Sequence, residues 1–172
     1  MFPGLLPSVP ESELPQAAVL VPLYQDGDDI RVVLTKRPMT MPTHAGHLAF
    51  PGGRPGDGDA DVVATALREA HEEMGIVPET VELLGFLEPI HTVEFSLFVV
   101  PVVGRLPADP TFLPSEREVD KVLLPTLALL SQESAWRYEM WRGHRVWFYD
   151  LEGEVLWGAT ATMTRRLLGL EI

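Results

Sequence analysis

The chain has 172 residues, 46% of them hydrophobic and 22% charged, a length and balance that suit one globular domain with a proper core rather than a disordered chain. Its formal net charge of −12 argues against nucleic acid and against membranes as partners, because polyanionic surfaces repel a chain that lacks a local basic patch. With no cysteine it can carry no disulfide framework, which agrees with a reducing, cytoplasmic location.

Residues 1–16 hold prolines at positions 3, 7, 10 and 15 and lack the basic start and apolar run of a signal sequence, so an irregular arm is expected ahead of one domain spanning residues 17–172. Ala17 to Tyr24 reads as a buried strand, Gln25 to Asp29 as a turn and Ile30 to Lys36 as the hairpin partner. Pro22 points to a strand edge or a bulge, since proline brings no N–H to a ladder. Pro38 to Gly46 is a loop that delivers the chain to the Gly52-Gly53 turn. An acidic loop leads into a helix from Val62 to Met74, with Asp59 or Asp61 as N-cap and Gly75 as its stop. Val81 to Glu88 and Phe95 to Val103 read as strands, the second nearly all apolar and therefore central. Leu106 to Ser115 is a proline-bearing connection, Glu118 to Leu124 a short strand and Pro125 to Ser131 a short helix. His144 to Asp150 follows the Arg142-Gly143 turn as a strand, and Ala159 to Leu168 is a closing helix.

Placed on a wheel at about 100° per residue, Arg68, Glu69, Glu72 and Glu73 share an arc of roughly 140°. The adjoining arc carries Val63, Ala66, Leu67, Ala70 and Met74, an apolar stripe that docks the helix on a core and holds the acids at its edge. Glutamates spaced i, i+3 and i+4 repel by a few tenths of a kcal/mol per pair, and only Arg68 offsets this locally. A hard divalent cation removes the conflict: Mg²⁺ takes oxygen ligands, keeps several waters and completes its shell with substrate phosphate. Two adjacent glutamates alone would read as a solvated surface; the spacing, the Arg and the glycine turn together favour the metal reading. His44, His47, His71, His91 and His144 show no metal-ligand spacing. His71 reads as a helix flank, while His44 and His47 meet a substrate only where their loop approaches the site. Trp136, Tyr138, Trp141, Trp147, Phe148 and Tyr149 read as core, lid or subunit contact rather than a base-stacking platform.

This stretch resembles the signature of the Nudix hydrolases: Gly, five residues, Glu, seven residues, then Arg-Glu-hydrophobic-x-Glu-Glu-x-Gly-hydrophobic. Arg68 to Ile76 fits the second half at every defined position, with Ala70 as the small apolar residue. The first half departs, since one extra residue separates Gly53 from Arg68 and Ala60 stands where the first Glu is expected; Asp59 and Asp61 are the available substitutes. Ahead of the turn, Leu34, Thr35, Arg37, Gly46 and Phe50 to Gly53 match a motif of the subgroup similar to coenzyme A pyrophosphatases, with Val33 in its first position. Pro38 replaces a Ser or Ala of that motif, and Pro42 replaces an Arg, a natural partner for phosphate. Ala17 to Leu23, Glu118 to Val122 and Glu152 to Ala161 also look like segments of the subgroup, whereas Glu94 stands where a glycine is expected before Phe95.

The resemblance implies an α/β fold, a Nudix-type α/β/α sandwich with a central mixed sheet, the signature helix on one side and the C-terminal helix on the other. It implies Mg²⁺- or Mn²⁺-dependent hydrolysis of the diphosphate bond of a small-molecule nucleoside diphosphate derivative. Coenzyme A or acyl-CoA comes first, giving 3′,5′-ADP and phosphopantetheine; ADP-ribose, NADH or another dinucleotide comes second. A non-catalytic nucleotide-binding scaffold is the third reading, disfavoured by the intact Glu69, Glu72 and Glu73. On this resemblance Glu69 and Glu73 are the principal metal ligands, Glu72 a ligand directly or through water, and the Gly53 carbonyl a further one. Arg68 orients a glutamate and Arg37 contacts phosphate. The catalytic base comes from the signature, at Glu72, or from a distal loop, at Glu118. Dimers are common among similar proteins, so a homodimer is compatible with this reading.

Overall fold

The computed structural model describes residues 2–12, 16–92 and 96–172. In chain order the first elements are β1 (Gln16–Asp26), β2 (Asp29–Val32), β3 (Leu34–Lys36), β4 (Leu48–Ala49), β5 (Gly52–Gly53) and helix α1 (Val62–Met74). There follow β6 (Glu82–Phe86), β7 (Ile90–Thr92), β8 (Leu97–Arg105), β9 (Lys121–Leu123), α2 (Leu127–Leu130), β10 (Trp136–Trp141), β11 (His144–Leu151), β12 (Glu154–Trp157) and α3 (Gly158–Leu168). Among the described residues the main sheet has six strands ordered β2-β1-β8-β6, with β5 added beside β1 and β7 beside β8. β1 and β8 run parallel, from Gln16 opposite Phe98 to Leu23 opposite Arg105, while β2, β5, β6 and β7 join antiparallel, so the sheet is mixed. Two smaller sheets, β4-β3-β9 and β10-β11-β12, flank it.

The apolar runs in β1 and β8 have a use on both faces, because successive strand side chains point in opposite directions. Ala18, Leu20, Val100 and Val102 pack beneath Ala66, Ala70 and Met74 of α1. Val21, Leu23 and Val103 face the opposite way into a core with Trp147, Tyr149 and Leu151 of β11 and Ala161, Met163 and Leu167 of α3. The expected sandwich is therefore present, with α1 and α3 on opposite sides of the mixed sheet.

The limits of α1 are those expected. Asp61 is the N-cap, its carboxylate accepting the Ala64 N–H at 2.8 Å, and Gly75 closes the helix at φ 69° with its N–H donating to the His71 carbonyl. Pro22 is a correction: it lies in the central strand, not at an edge. Leu20 donates to the Pro51 carbonyl and the Pro22 carbonyl accepts from Val33, so the proline falls where β1 changes partner from β5 to β2 and no N–H is needed. The predicted hairpin arm at residues 30–36 is likewise split at Val33, β2 staying with β1 and β3 leaving for the small sheet with β4 and β9. The strand expected from Glu118 starts only at Lys121, because Glu118 and Val119 donate to the Ser115 carbonyl in a turn. Among the described residues five strands escape a reading by pattern: the two-residue β4 and β5, and β7, β10 and β12. In β10 only Trp136 is buried, so no alternation marks it, and its pairing with β11 from Trp136–Tyr149 to Trp141–His144 makes it a strand. Residues 93–95, which include Glu94 and the expected strand start at Phe95, lie outside the described residues. Among the described residues no helix is long and apolar enough to cross a membrane.

Met74 is fully buried where α1 meets the sheet. Truncation to alanine leaves a cavity there, so Met74→Ala is expected to lower unfolding free energy by about 2–5 kcal/mol with an unchanged denaturant slope in urea titrations.

Candidate active site

Two glycines let the turn lie close both to β1 and to the acidic face of α1. A Cβ on Gly52 would sit 2.6 Å from the Cα of Val19 in β1, and one on Gly53 would sit 2.6 Å from Oε1 of Glu69. A side chain at Gly52 would push the turn off β1, and one at Gly53 would displace the Glu69 carboxylate. With neither present, the acidic face of α1 lies directly against the turn.

Glu73 is buried, only 9% exposed, and its Oε1 accepts the Gly52 N–H at 3.3 Å. Burial pushes its carboxyl up to about 8. The Gly52 N–H opposes that rise, Glu118 and Glu69 add to it by charge repulsion, and Arg37 opposes it more weakly. Glu69 is also raised above the usual carboxylate range, by burial first, with Arg68 opposing and Glu72 and Glu118 adding to it. Glu118 reaches this company through the loop that wraps the end of α1. Leu113 and Ser115 donate to the Met74 and Glu73 carbonyls at 2.8 Å each, and Glu118 turns back onto the Ser115 carbonyl at 3.0 Å.

Arg68 is held on several sides. Its guanidinium donates to Asp59 at 3.0–3.2 Å, to Glu69 at 3.0 Å, to both Glu72 oxygens at 3.3 Å and to the Arg54 carbonyl at 3.0 Å. The two aspartates left open by the sequence thus divide the work: Asp61 caps the helix, and Asp59 braces Arg68 while accepting the Gly56 N–H and the Thr65 hydroxyl. Arg68 and these donors hold the Asp59 carboxyl well below the usual carboxylate range. Its nine-residue offset from Arg68 fits no helical spacing, so only the folded loop shows the pairing.

The structure therefore brings together Glu69, Glu73, Glu118, Arg37 and the Gly52-Gly53 turn, with Arg68 behind them and Glu72, whose side chain is 50% exposed, at the rim. Arg37 is steadied by a 3.3 Å bond from Nε to the Thr43 carbonyl. Among the described residues no three His, Asp or Glu side chains form a ready-made metal cage, and Glu69 and Glu72 are turned onto Arg68. His71 bonds the Ile76 carbonyl through Nδ1 at 3.1 Å, as befits a helix flank. Cavities of about 240 Å³ beside Gly75 and Phe112 and about 440 Å³ between Pro7–Glu11 and the start of α1 are not lined by these acids.

A family profile described as NUDIX domain matches residues 14–151. A protein of Escherichia coli named Uncharacterized Nudix hydrolase NudL is 41% identical over 156 residues, covering 88% of this chain and 80% of that protein. Among solved structures, an Ap4A hydrolase of C. elegans in a binary complex superposes with a TM-score of 0.56 at 23% identity, covering 66% of this chain and 81% of that one. The NUDIX domain of Shewanella oneidensis NrtR complexed with ADP ribose superposes with a TM-score of 0.53 at 19% identity, covering 71% and 79%. At these identities the structural likeness carries the fold.

Because the Asp59 carboxyl is held low in the folded protein, its contribution to stability is complete above the unfolded value of about 4 and fades as pH falls below it. Asp59→Asn is therefore expected to lower the melting temperature at pH 7. The gap from wild type should narrow below about pH 4, and the effect should shrink in an Arg68→Met background; a thermal-denaturation double-mutant cycle measures both.

Proposed function

We propose, from the premise that this chain belongs to the Nudix family and is a hydrolase of nucleoside diphosphate derivatives, that coenzyme A or acyl-CoA is its substrate, cleaved to 3′,5′-ADP and phosphopantetheine. The observation that carries the chemistry is the burial of Glu73 against the Gly52 N–H, beside Glu69 and Glu118, where the carboxylates outnumber the cations Arg37 and Arg68. Such a site holds hard oxygen donors in excess of positive charge, which fits a hard divalent ion. Glu69 and Glu73 are the residues we assign to hold Mg²⁺ or Mn²⁺, with Glu72 directly or through water and the Gly53 carbonyl as further ligands. When bound, such an ion supplies Lewis-acid polarisation of a phosphoryl oxygen and a more acidic water.

The chain's own residues do the rest. Glu118, anchored by the turn on Ser115, takes the proton from the attacking water as the new P–O bond forms and the bridging P–O bond breaks. Glu72, at the exposed rim, is the other candidate for that proton. Arg37 contacts a phosphate oxygen, and Arg68, braced by Asp59, keeps Glu69 and Glu72 oriented. The substrate assignment rests on Leu34, Thr35, Arg37, Gly46 and Phe50 to Gly53. Pro42, in place of an arginine, favours a second reading, the same chemistry on ADP-ribose, NADH or another dinucleotide.

Incubation with Mg²⁺ or Mn²⁺ and a panel of diphosphates separates the two readings: 3′,5′-ADP with phosphopantetheine supports the first, and AMP from ADP-ribose with coenzyme A untouched supports the second. Glu73→Gln is expected to lower kcat by at least about 10²-fold and to weaken Mn²⁺ binding in calorimetry without lowering the melting temperature of the metal-free protein. Undiminished turnover overturns the ligand assignment. Glu118→Gln is expected to cost roughly 10²- to 10⁴-fold in kcat, whereas a loss under about fivefold returns the base to Glu72.

A further inference from the structure

A row of rings leaves the carboxylate site along the outer face of the β10-β11-β12 sheet. It begins at His47, whose carbonyl accepts the Arg37 N–H at 2.9 Å and whose ring lies 5.0 Å from that of Trp157, edge to face. Trp157 stands opposite Phe148 on β11, their rings parallel to within 9° and 6.0 Å apart. Arg137, opposite Phe148 on β10, lays its guanidinium 4.7 Å over that ring. In β11 the inward positions are Trp147, Tyr149 and Leu151, so Phe148 points away from the core with Trp157 beside it. Trp157 is 39% exposed. A tryptophan at a strand end that packs into no core leaves costly apolar surface in water unless something covers it.

We propose that Trp157, with His47 and Phe148 beside it, is the stacking platform for the nucleobase of the substrate, an inference that rests on the diphosphate reading of the neighbouring acids. Continuity with the site carries the assignment: the backbone of Arg37, the residue assigned to phosphate, is bonded to His47, where the row begins, and the preceding Lys36 is paired at 2.9 Å with Glu154 of β12, the strand that ends at Trp157. A diphosphate engaged at the acids directs one of its two substituents along these rings. The occupant is flat and aromatic, because the exposed part of Trp157 is bordered by the rings of His47 and Phe148, and a broad ring surface gains most from a planar π-system laid against it. Phe148 thereby leaves the group of aromatic residues expected to serve only as core, lid or subunit contact.

The test is binding, read by calorimetry in Mg²⁺ buffer with AMP and, as the base-free control, ribose 5-phosphate. Trp157→Ala is expected to weaken AMP about 10- to 100-fold, the range for one base stacked on one ring, and to leave ribose 5-phosphate within about twofold. Trp157→Phe, which keeps a π-face, is expected to restore AMP binding to within a few-fold, and His47→Ala to weaken it by a smaller factor. Equal AMP affinity in wild type and Trp157→Ala, parallel loss of both ligands, failure of Trp157→Phe to rescue, or no AMP binding by the wild type overturns the proposal. Turnover is read separately. If no diphosphate is hydrolysed while AMP binding still depends on Trp157, the diphosphate reading fails and the platform stands; hydrolysis with an unchanged KM in Trp157→Ala does the reverse.

Discussion

The contact on which the rest of the molecule depends is the seating of a bare glycine turn between the central strand and the acidic face of one helix. Gly52 lies so close to Val19, and Gly53 so close to Glu69, that neither tolerates a Cβ without displacement. The absence of two side chains is thus a positive requirement: it lets the Gly52 N–H reach Glu73 and places Glu69 against the turn. The stripe of Ala66, Ala70 and Met74 supplies the complementary condition, since small and flexible side chains bring α1 down onto the sheet and carry its carboxylates with it.

That seating has an electrostatic cost, and the fold divides it between two groups of residues. On the outer side, Arg68 pairs with Asp59, Glu69 and Glu72 in one network, and the nearly buried Asp59 gives that guanidinium a fixed anchor. On the inner side, Glu73 has a backbone N–H and the more distant charge of Arg37, while Glu69 and Glu118 press on it. The outer network gathers three carboxylates on one guanidinium and serves as a brace. The inner group is left with excess negative charge in a water-poor place, which is the state that makes a carboxyl hard to ionise and receptive to an added cation.

The remaining elements locate partners for this centre. The change of partner along β1, marked by Pro22, sends β3 away from the main sheet and puts Arg37 and its loop beside the acids. The segment anchored on the carbonyls of Met74 and Glu73 brings Glu118 from more than forty residues beyond α1. The β10-β11-β12 sheet adjoins through the ion pair of Lys36 with Glu154 at 2.9 Å and the contact of His47 with Trp157, so a sheet outside the family signature extends the same surface.

Read alone, the chain determined the span of its central helix and its glycine stop, the apolar character of β1 and β8, the acidic face, and the family to which that face belongs. These follow from local rules: helical periodicity, a capping aspartate, a left-handed glycine, and side chains fixed within a few residues of one another. Tertiary structure alone decided that Asp59 rather than Asp61 braces Arg68, that Pro22 sits in the centre of a sheet, that Glu118 lies in a turn tied through Ser115 to the Glu73 carbonyl, and that β10 is a strand although nearly all of it is exposed. Each depends on a contact between segments distant in sequence or at an irregular offset, where neither periodicity nor propensity distinguishes the chosen partner from its neighbours. The folded backbone makes that choice by bringing one candidate within hydrogen-bonding reach and placing the other elsewhere, as it gives Asp59 to Arg68 and Asp61 to the helix cap.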